Sequence, residues 1–238
     1  MKKIFLLLFL IIFVTASVFS QITINDPNAV KVDVKNFHSI QISGAFNIYL
    51  IQSNEEGVAI SAADDKYRNN IKVEVNNGVL KIYFDNKSFL KGIGGRKLKA
   101  YISIREIKKL TASGACNVFL DGKINAEDLQ LFMSGASDLK GNIDVKKLSV
   151  DLSGASDVII SGTALQTNIK ASGASDFKGF DLVTGICNVI ASGASSIQVT
   201  VHKELSAQAS GASDIRYKGD GVIREIKSSG ASSVTRKS

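Results

Sequence analysis

The residues of this sequence with chemical potential are serines and aspartates that recur in one short phrase. SGASD begins at residues 134, 153, 172 and 210, SGASS at 192 and 229, SGACN at 113 and SGAFN at 43. A nucleophilic serine needs a base and an orienting acid beside it. Eight copies argue against a unique catalytic serine, and the strand–turn–helix setting of a nucleophile elbow is missing. The phrase therefore needs a structural explanation before a catalytic one.

The aspartates of the phrase could instead bind calcium, as glycine-and-aspartate repeats do in other β-helices. The fifth position is occupied, in chain order, by Asn117, Asp138, Asp157, Asp176, Ser196, Asp214 and Ser233. Serine is readily accepted in a turn but would damage a carboxylate cage. The nine-residue period and denser Gly and Asp of calcium repeats are also missing. We favour solvent-facing turn residues, expect no metal or cofactor, and leave the Asp column open as a binding surface.

A catalytic centre built from other residues is not expected either. His38 and His202 are not brought together by any spacing argument, and too few His and Cys are present for a metal site. A polysaccharide lyase or hydrolase is the enzymatic alternative, because parallel β-helices often host them, but it needs clustered acids with a basic partner. The available acids are scattered, among them Asp144, Asp151, Asp181, Glu127, Glu204 and Glu225. We predict that the protein is not an enzyme.

The first 20 residues have the form of a secretory signal peptide. MKK and the apolar run Ile4–Val14 precede a VFS site for cleavage after Ser20. The run is shorter than the roughly 20 residues that span a bilayer, although a retained anchor stays the alternative. No cysteine follows it for a lipid anchor. We predict an exported protein, in the periplasm, at the cell surface or outside the cell, with no membrane span after cleavage.

The charge distribution gives no sign of a nucleic-acid partner. The formal net charge is +7, yet Lys and Arg are spread along the chain and form no cluster of the kind that binds nucleic acid. Such a surface could tolerate anionic glycans or lipids. KGIGGRK at 91–97 is expected to be a flexible basic loop, because it lacks the Gly-Lys-Ser/Thr ending of a phosphate-binding loop.

The spacing of the phrase predicts the fold. Successive copies from residue 113 onward are 18–21 residues apart, which is the length of one solenoid coil. Apolar residues alternate before the phrase, as at Leu148, Val150 and Leu152, and no helical periodicity is present. Such units bury their apolar side only when stacked. We predict an all-β fold, a right-handed parallel β-helix or solenoid with about seven regular coils of about 19 residues.

The phrase itself is predicted to form the corner of each coil. Glycine supplies a backbone conformation that other residues disfavour, alanine is small enough for the inside of the bend, and serine bonds local backbone or its stacked copies. The predicted corner glycines are Gly44, Gly114, Gly135, Gly154, Gly173, Gly193, Gly211 and Gly230.

The part before the regular coils is predicted to cap them. We divide the chain into a signal peptide (1–20), a short leader (21–29), an irregular β-rich part (30–110) and the regular solenoid (111–238). IKVEVNNGVLKIYF at 71–84 predicts a hairpin, KLKAYISI at 97–104 a strand, and DDKYRNNI at 64–71 one helical turn. FHSIQISGAFNIYL parallels IKKLTASGACNVFL at 107–120, so the coil pattern begins before the regular part.

The two cysteines are predicted to be free. Cys116 and Cys187 lie about three coils apart, or roughly 14 Å along the axis at the usual strand spacing. A disulfide requires Cα atoms within about 7 Å. We expect two small buried thiols.

ISGAFNIYL at 42–50, the VEVNNGVLKI hairpin and the serial SGAS phrases together resemble one family of secreted bacterial domains, the putative autotransporter adhesin, head GIN domain. The resemblance covers about residues 30–236 and implies a β-helical surface or periplasmic protein of Bacteroidetes-type bacteria with an adhesive role. A true autotransporter needs a C-terminal membrane barrel, which we do not expect because SVTRKS directly follows a repeat.

The expected function is that of an exported, non-enzymatic binding protein that recognises a cell-surface glycan or an envelope protein through a repetitive strand face. An envelope scaffold without a ligand and the polysaccharide-active enzyme stay as alternatives. The residues leave the oligomeric state open.

Overall fold

A computed structural model of the chain describes residues 25–85 and 95–238. The predicted signal peptide, residues 21–24 of the predicted leader and most of the KGIGGRK loop lie outside the described residues. Within the described ranges, no helix is both long and apolar enough to cross a membrane.

The described residues form strands almost throughout. In chain order the strands are β1 (Val30–Val32), β2 (Ser39–Gly44), β3 (Phe46–Gln52), β4 (Gly57–Ser61), β5 (Ile71–Asn76), β6 (Val79–Phe84), β7 (Leu98–Ile104), β8 (Lys109–Gly114), β9 (Asn117–Met133), β10 (Asp138–Leu152), β11 (Asp157–Ala171), β12 (Asp176–Ala191), β13 (Ser196–Ala209), β14 (Asp214–Lys218), β15 (Val222–Ser228) and β16 (Ser233–Arg236). One helical turn, α1 (Asp65–Arg68), lies between β4 and β5.

The strands stack as the coils of a parallel β-solenoid of about seven turns, which confirms the predicted fold. Asp157 of β11 lies opposite Asp138 on one side and Asp176 on the other, so equivalent residues of successive coils form straight columns. The long strands β9–β13 each cover 14–17 residues, most of one coil. The right hand of the winding stays a prediction.

Alternation along each strand places one set of side chains inside. Leu148, Val150 and Leu152 are buried, while Asp151 between them is exposed. The buried side chains of all the coils form one continuous core that runs from Phe37 to Tyr217. Burying one Val, Leu or Ile side chain contributes about 1.5–3 kcal/mol to stability. A single coil would leave its inward apolar side chains exposed above and below, so the coils must stack to bury them.

The corners require glycine for two separate reasons. All eight corner glycines have positive φ, for example 77° at Gly154. From Gly114 onward, a Cβ added to any of them would lie within 2.8 Å of the carbonyl oxygen of the corner glycine one coil before. This close approach lets the N–H of Ala155 donate to the Gly135 carbonyl at 2.7 Å, a bond repeated from coil to coil. A side chain would therefore both strain the backbone and separate the coils.

The predicted position of the corner alanine is wrong. Ala155 is exposed, and the serine after it, Ser156, is fully buried. The inward Ser156 lies four residues after the inward Leu152. Because four is an even number, inward and outward positions still alternate across the bend. A hydroxyl suits this position because the Ser156 Oγ donates to the Ser153 carbonyl at 3.0 Å, which a methyl group could not do.

The same arrangement holds along a whole column of buried serines. Their hydroxyls each donate to the carbonyl three residues before, and the buried members are Ser137, Ser156, Ser175, Ser195 and Ser213. Cys116 occupies this column in the first regular coil, with its Sγ 3.4 Å from the Ser113 carbonyl. Contacts between coils join hydroxyl and backbone: the Ser156 N–H donates to the Ser175 Oγ at 3.4 Å.

The N-terminal part continues the same stack before it changes to antiparallel pairing. Strands β2 and β3 pair in parallel with β8 and β9, so the coil pattern does begin at residue 39. The predicted hairpin is β5–β6, closed by Asn77 and Gly78, both at positive φ as a type I′ turn requires. The predicted strand is β7 and the predicted helical turn is α1. Strands β1, β4 and β7 pair antiparallel beside the coils.

Both cysteines are free and buried, as predicted. Burial in the apolar core raises the pKa of the Cys187 thiol to about 12. Both side chains therefore pack as small hydrophobic groups.

Candidate binding face

The strand segment after each corner, together with β7 paired in register beside β3, presents two columns of outward side chains, which we call the corner-following face. The first column consists of Lys99, Asn47, Asn117, Asp138, Asp157, Asp176, Ser196, Asp214 and Ser233. The second column, two residues further along each strand, consists of Tyr101, Tyr49, Phe119, Lys140, Ile159, Lys178, Gln198, Arg216 and Thr235. Because strand residues i and i+2 share a side, both columns face the same way.

The four aspartates considered for calcium do lie in one column, but cations from the second column reach three of them. Lys178 Nζ lies 3.3 Å from Asp157 Oδ2 and 3.7 Å from Asp176 Oδ2. Asp214 pairs with Arg216 at 2.5 Å and also accepts a hydrogen bond from the Ser233 hydroxyl. Among the described residues, no group of three His, Cys, Asp or Glu side chains is placed to hold a metal ion. Three of the four carboxylates in the column are thus compensated by a neighbouring Lys or Arg.

An aromatic stack occupies the N-terminal end of the second column. The ring centroids of Tyr101 and Tyr49 are 5.2 Å apart with an interplanar angle of 13°, and those of Tyr49 and Phe119 are 5.4 Å apart at 21°. Tyr49 is 37% exposed and Phe119 40% exposed. The rings lie on the outer surface, so the core does not require them to be aromatic.

Hydrogen-bonding side chains stand beside the rings in the first column. The Asn117 side-chain amide donates to Asn47 Oδ1 at 2.8 Å, which fixes both amides next to Tyr49 and Phe119. We call Asn47, Asn117, Tyr49, Tyr101 and Phe119 the aromatic–amide patch.

The end of the patch is held by a buried carboxylate from the predicted leader. Asp26 Oδ2 accepts from Lys99 Nζ at 2.9 Å and from the Tyr101 hydroxyl at 2.8 Å. The bond from Lys99 holds the pKa of Asp26 down at about 2, and the same pairing raises the pKa of Lys99. Burial, together with the bond to Asp26, raises the pKa of the Tyr101 hydroxyl. Tyr101 is therefore fixed as a neutral hydrogen-bond donor.

The other residues considered for chemistry do not come together. His38 Nδ1 lies 3.1 Å from Ser39 Oγ in the first coil, whereas His202 contacts Asp220 at 2.6 Å in the fifth regular coil. Asp144 accepts from the Thr163 hydroxyl at 2.6 Å. Asp151 and Asp181 are exposed on different coils.

The three glutamates considered for a catalytic centre each form an ion pair with a Lys or Arg. Glu127 pairs with Lys146 at 2.7 Å, Glu204 with Arg224 at 2.6 Å, and Glu225 with Lys227 at 2.5 Å. The bond from Arg224 lowers the pKa of Glu204, and the bond from Lys227 lowers the pKa of Glu225. Both carboxylates are thereby held in the ionised form.

Sequence reasoning did not identify the aromatic–amide patch, although one signal for it was present. The parallel between FHSIQISGAFNIYL and IKKLTASGACNVFL aligns Asn47 with Asn117 and Tyr49 with Phe119. Because aligned residues of successive coils are neighbours in a solenoid, this alignment implied both contacts. Tyr101 and Asp26 are separated by 75 residues and belong to no repeat, so no local pattern indicated their contact.

The fold and this face define the class of protein: a parallel β-solenoid whose coils present rows of outward side chains. Residues 36–221 match the family described as putative auto-transporter adhesin, head GIN domain, and the chain belongs to that family. Among curated proteins, none matches the sequence.

Several solved structures share the fold. A putative adhesin from Bacteroides fragilis is 22% identical, with a TM-score of 0.81, and the match covers 88% of this chain and 96% of that one. A putative lipid binding protein from Parabacteroides distasonis is 20% identical, with a TM-score of 0.69 and coverages of 90% and 98%. A putative adhesin from Parabacteroides merdae is 17% identical, with a TM-score of 0.62 and coverages of 88% and 95%. At these identities the likeness shows the fold alone.

Proposed function

We propose that the protein is an exported, non-enzymatic β-solenoid that binds a glycan or a protein of a cell envelope or cell surface through the corner-following face. The observation that carries the proposal is the combination, on one regular face, of exposed aromatic rings and a row of polar side chains. Aromatic residues are enriched at recognition surfaces because one rigid side chain supplies a large contact area at low entropic cost. The family to which the chain belongs carries an adhesin description, which agrees with this role.

The electrostatics of the acids favour binding over catalysis. A general acid that works near neutral pH has a raised pKa, as in glycosidases. Glu204 and Glu225 have lowered pKa values, and Asp157, Asp176 and Asp214 lie beside Lys or Arg. Carboxylates paired with exposed cations suit a solvated recognition surface.

A binding panel tests the proposal. Protein expressed without residues 1–20 is immobilised and exposed to defined polysaccharides, extracellular-matrix proteins and phospholipid vesicles. We expect saturable binding to at least one polysaccharide or protein. The double variant Lys140→Glu/Lys178→Glu on the corner-following face should change this binding, and Lys147→Glu/Lys170→Glu on the strand segment before the corner should leave it unchanged.

Three results would count against the proposal. Binding to phospholipid vesicles alone would indicate a lipid-binding role instead. An equal effect of the two double variants would show that the corner-following face is not the binding surface. Release of soluble products from uronic polysaccharides, abolished by changing an acid, would replace it with the enzymatic alternative.

A further inference from the structure

The aromatic–amide patch has the chemistry of a site for neutral sugar rings. We propose that it binds hexose units of an uncharged polysaccharide, with pyranose C–H faces on Tyr49 and Phe119 and hydroxyls on Asn47 and Asn117. The inference rests on the proposed function, since it names the ligand class and the part of the corner-following face that takes it.

The rings present usable apolar surface. Carbon atoms in contact lie about 3.5–4.0 Å apart, so centroid separations of 5.2 and 5.4 Å mean that the rings are offset and overlap only in part. Tyr49 has a stacked ring on each side and Phe119 on one, and the two residues are 37% and 40% exposed, so both present apolar ring surface to solvent. The bond from Tyr101 to Asp26 fixes the first ring of the stack, so the surface is ordered before a ligand arrives.

The neighbouring amides offer unused hydrogen-bonding groups. The bond between Asn117 and Asn47 engages one donor and one acceptor. In the part of the chain that the structure describes, the Asn47 amide NH₂ and the Asn117 Oδ1 make no other hydrogen bond. A free donor on Asn47 and a free acceptor on Asn117 thus stand beside the rings. A sugar hydroxyl, which both donates and accepts, can pair with either group.

The charges around the patch favour an uncharged ligand. Lys99 is the cation nearest its N-terminal end, and Asp26 neutralises it at 2.9 Å. At the other end Asp138 and Lys140 bring opposite charges into the same two columns. An anionic polymer such as a nucleic acid would need uncompensated cations beside the rings.

A pyranose ring combines the two features that the patch offers. One face carries C–H groups that pack on aromatic rings, and its edge carries hydroxyls. Successive units of an extended glycan repeat at a distance similar to the strand spacing of about 4.8 Å. Units in a row can therefore meet the equivalent pairs Asn47–Tyr49 and Asn117–Phe119 in turn.

To test this, the protein without residues 1–20 is titrated with cellohexaose, laminarihexaose and mannohexaose. Binding is measured by NMR saturation transfer and by calorimetry. We expect weak, saturable binding of at least one hexaose, with transfer between sugar C–H protons and the rings of Tyr49 and Phe119. Tyr49→Ala and Phe119→Ala should each raise the Kd roughly tenfold, since a tenfold change is the effect of one good stacking contact.

The matched controls lie on the strand segment before the corner. Phe132 is a half-buried outward aromatic packed under Lys109 Nζ at 4.4 Å, and among the described residues no second ring stacks on it. Asn188 donates to Asn168 at 3.0 Å as Asn117 does to Asn47, and within the same described ranges no stacked rings lie beside this pair. Phe132→Ala and Asn188→Ala should leave the Kd unchanged, whereas Asn117→Ala should raise it. If Phe119→Ala is destabilised, Asn117→Ala still tests the patch, because it leaves the aromatic rings in place.

The outcomes separate the inference from the function on which it rests. Binding that Phe132→Ala weakens as much as Phe119→Ala, or transfer to other side chains, would overturn the patch while leaving a glycan-binding protein. Failure of all neutral hexaoses, with retention of a protein or an anionic polysaccharide in the panel, would overturn the neutral-sugar inference alone. Failure of every polysaccharide and protein in the panel would overturn both.

Discussion

At the residue scale, the phrase SGAS assigns one task to each position. Glycine provides positive φ and allows the close approach of the coils, alanine faces solvent, and the second serine is buried with its own acceptor. The eight glycines predicted for the bend all have positive φ. The predicted bond from serine to local backbone is present, but alanine was misassigned to the inside of the bend, because a buried serine with a carbonyl partner has the same local pattern as an exposed one.

The two demands on a corner glycine can be measured separately. Gly154 and Gly122 have φ of 77° and 76°, but an added Cβ at Gly122 meets nothing within 4 Å. Gly122→Ala should cost about 1–2 kcal/mol for the backbone conformation. Gly154→Ala should cost at least about 1 kcal/mol more, because neighbouring backbone must move. Urea unfolding of both variants would measure this, and equal costs would mean that the stacked carbonyl imposes no constraint.

The two buried cysteines should respond oppositely to serine. Cys116→Ser should leave the free energy of unfolding unchanged or higher, because its column holds serines and the Ser113 carbonyl is in reach. Cys187→Ser should cost about 1–3 kcal/mol, because within the described ranges the Cys187 thiol has no hydrogen-bond partner and a buried hydroxyl needs one. Thermal and urea unfolding of the two variants would test the contrast. A loss of stability in Cys116→Ser would contradict the role assigned to the serine column.

At the element scale, the regular coils were predictable and the N-terminal part was predictable only in its local pieces. The period of the phrase, the alternation of Leu148, Val150 and Leu152, and the Asn77–Gly78 turn are all short-range signals. The parallel pairing of β3 with β7 and the antiparallel pairing of β4 with β7 join segments far apart in sequence. No local residue pattern specifies such pairings, and the patch was missed for the same reason.

The contact between Asp26 and β7 gives a pH-dependent contribution to stability. The folded state holds the pKa of Asp26 at about 2, below its ordinary value of 3.8, mainly through Lys99. A lowered pKa in an acid stabilises the fold above the unfolded value and loses this effect as pH falls through the folded one. Asp26→Asn should therefore cost about 1–2 kcal/mol near pH 6 and almost nothing near pH 2.

Urea unfolding of wild type and Asp26→Asn at both pH values gives the difference directly. Asp65→Asn is the control, because Asp65 is 77% exposed in its ion pair with Arg68 and should contribute less than about 1 kcal/mol at either pH. The same cost for Asp26→Asn at both pH values would show that the Lys99 contact does not act through charge.

At the scale of the whole molecule, each regular coil contacts mainly the coils before and after it. Asp176 of β12 lies opposite Asp157 and Ser196, and the remaining columns repeat this neighbour-to-neighbour order. Stability in such a stack is approximately a sum of coil and interface contributions. The length of the rod should therefore be adjustable in whole coils.

Deletion of residues 192–209, one complete coil, should leave a folded protein. Ala191 is then followed by Ser210, which has the same place in its own phrase, and the strands after the cut stay in register. We expect unchanged β-type circular dichroism and a rod shorter by about 4.8 Å in small-angle scattering. Deletion of residues 192–200, about half a coil, should prevent native folding. Equal tolerance of both deletions would contradict a core built from stacked, registered coils.

Lysine footprinting measures whether a partner binds to the corner-following face. The protein is acetylated with and without a saturating partner from the binding panel, and the modification of each lysine is quantified by mass spectrometry. Lys140 and Lys178 lie on the corner-following face, and Lys147 and Lys170 lie on the strand segment before the corner. We expect protection of Lys140, or of Lys140 and Lys178 together, with Lys147 and Lys170 unchanged. Protection of Lys147 and Lys170 with Lys140 still fully reactive would show that the partner does not bind the corner-following face.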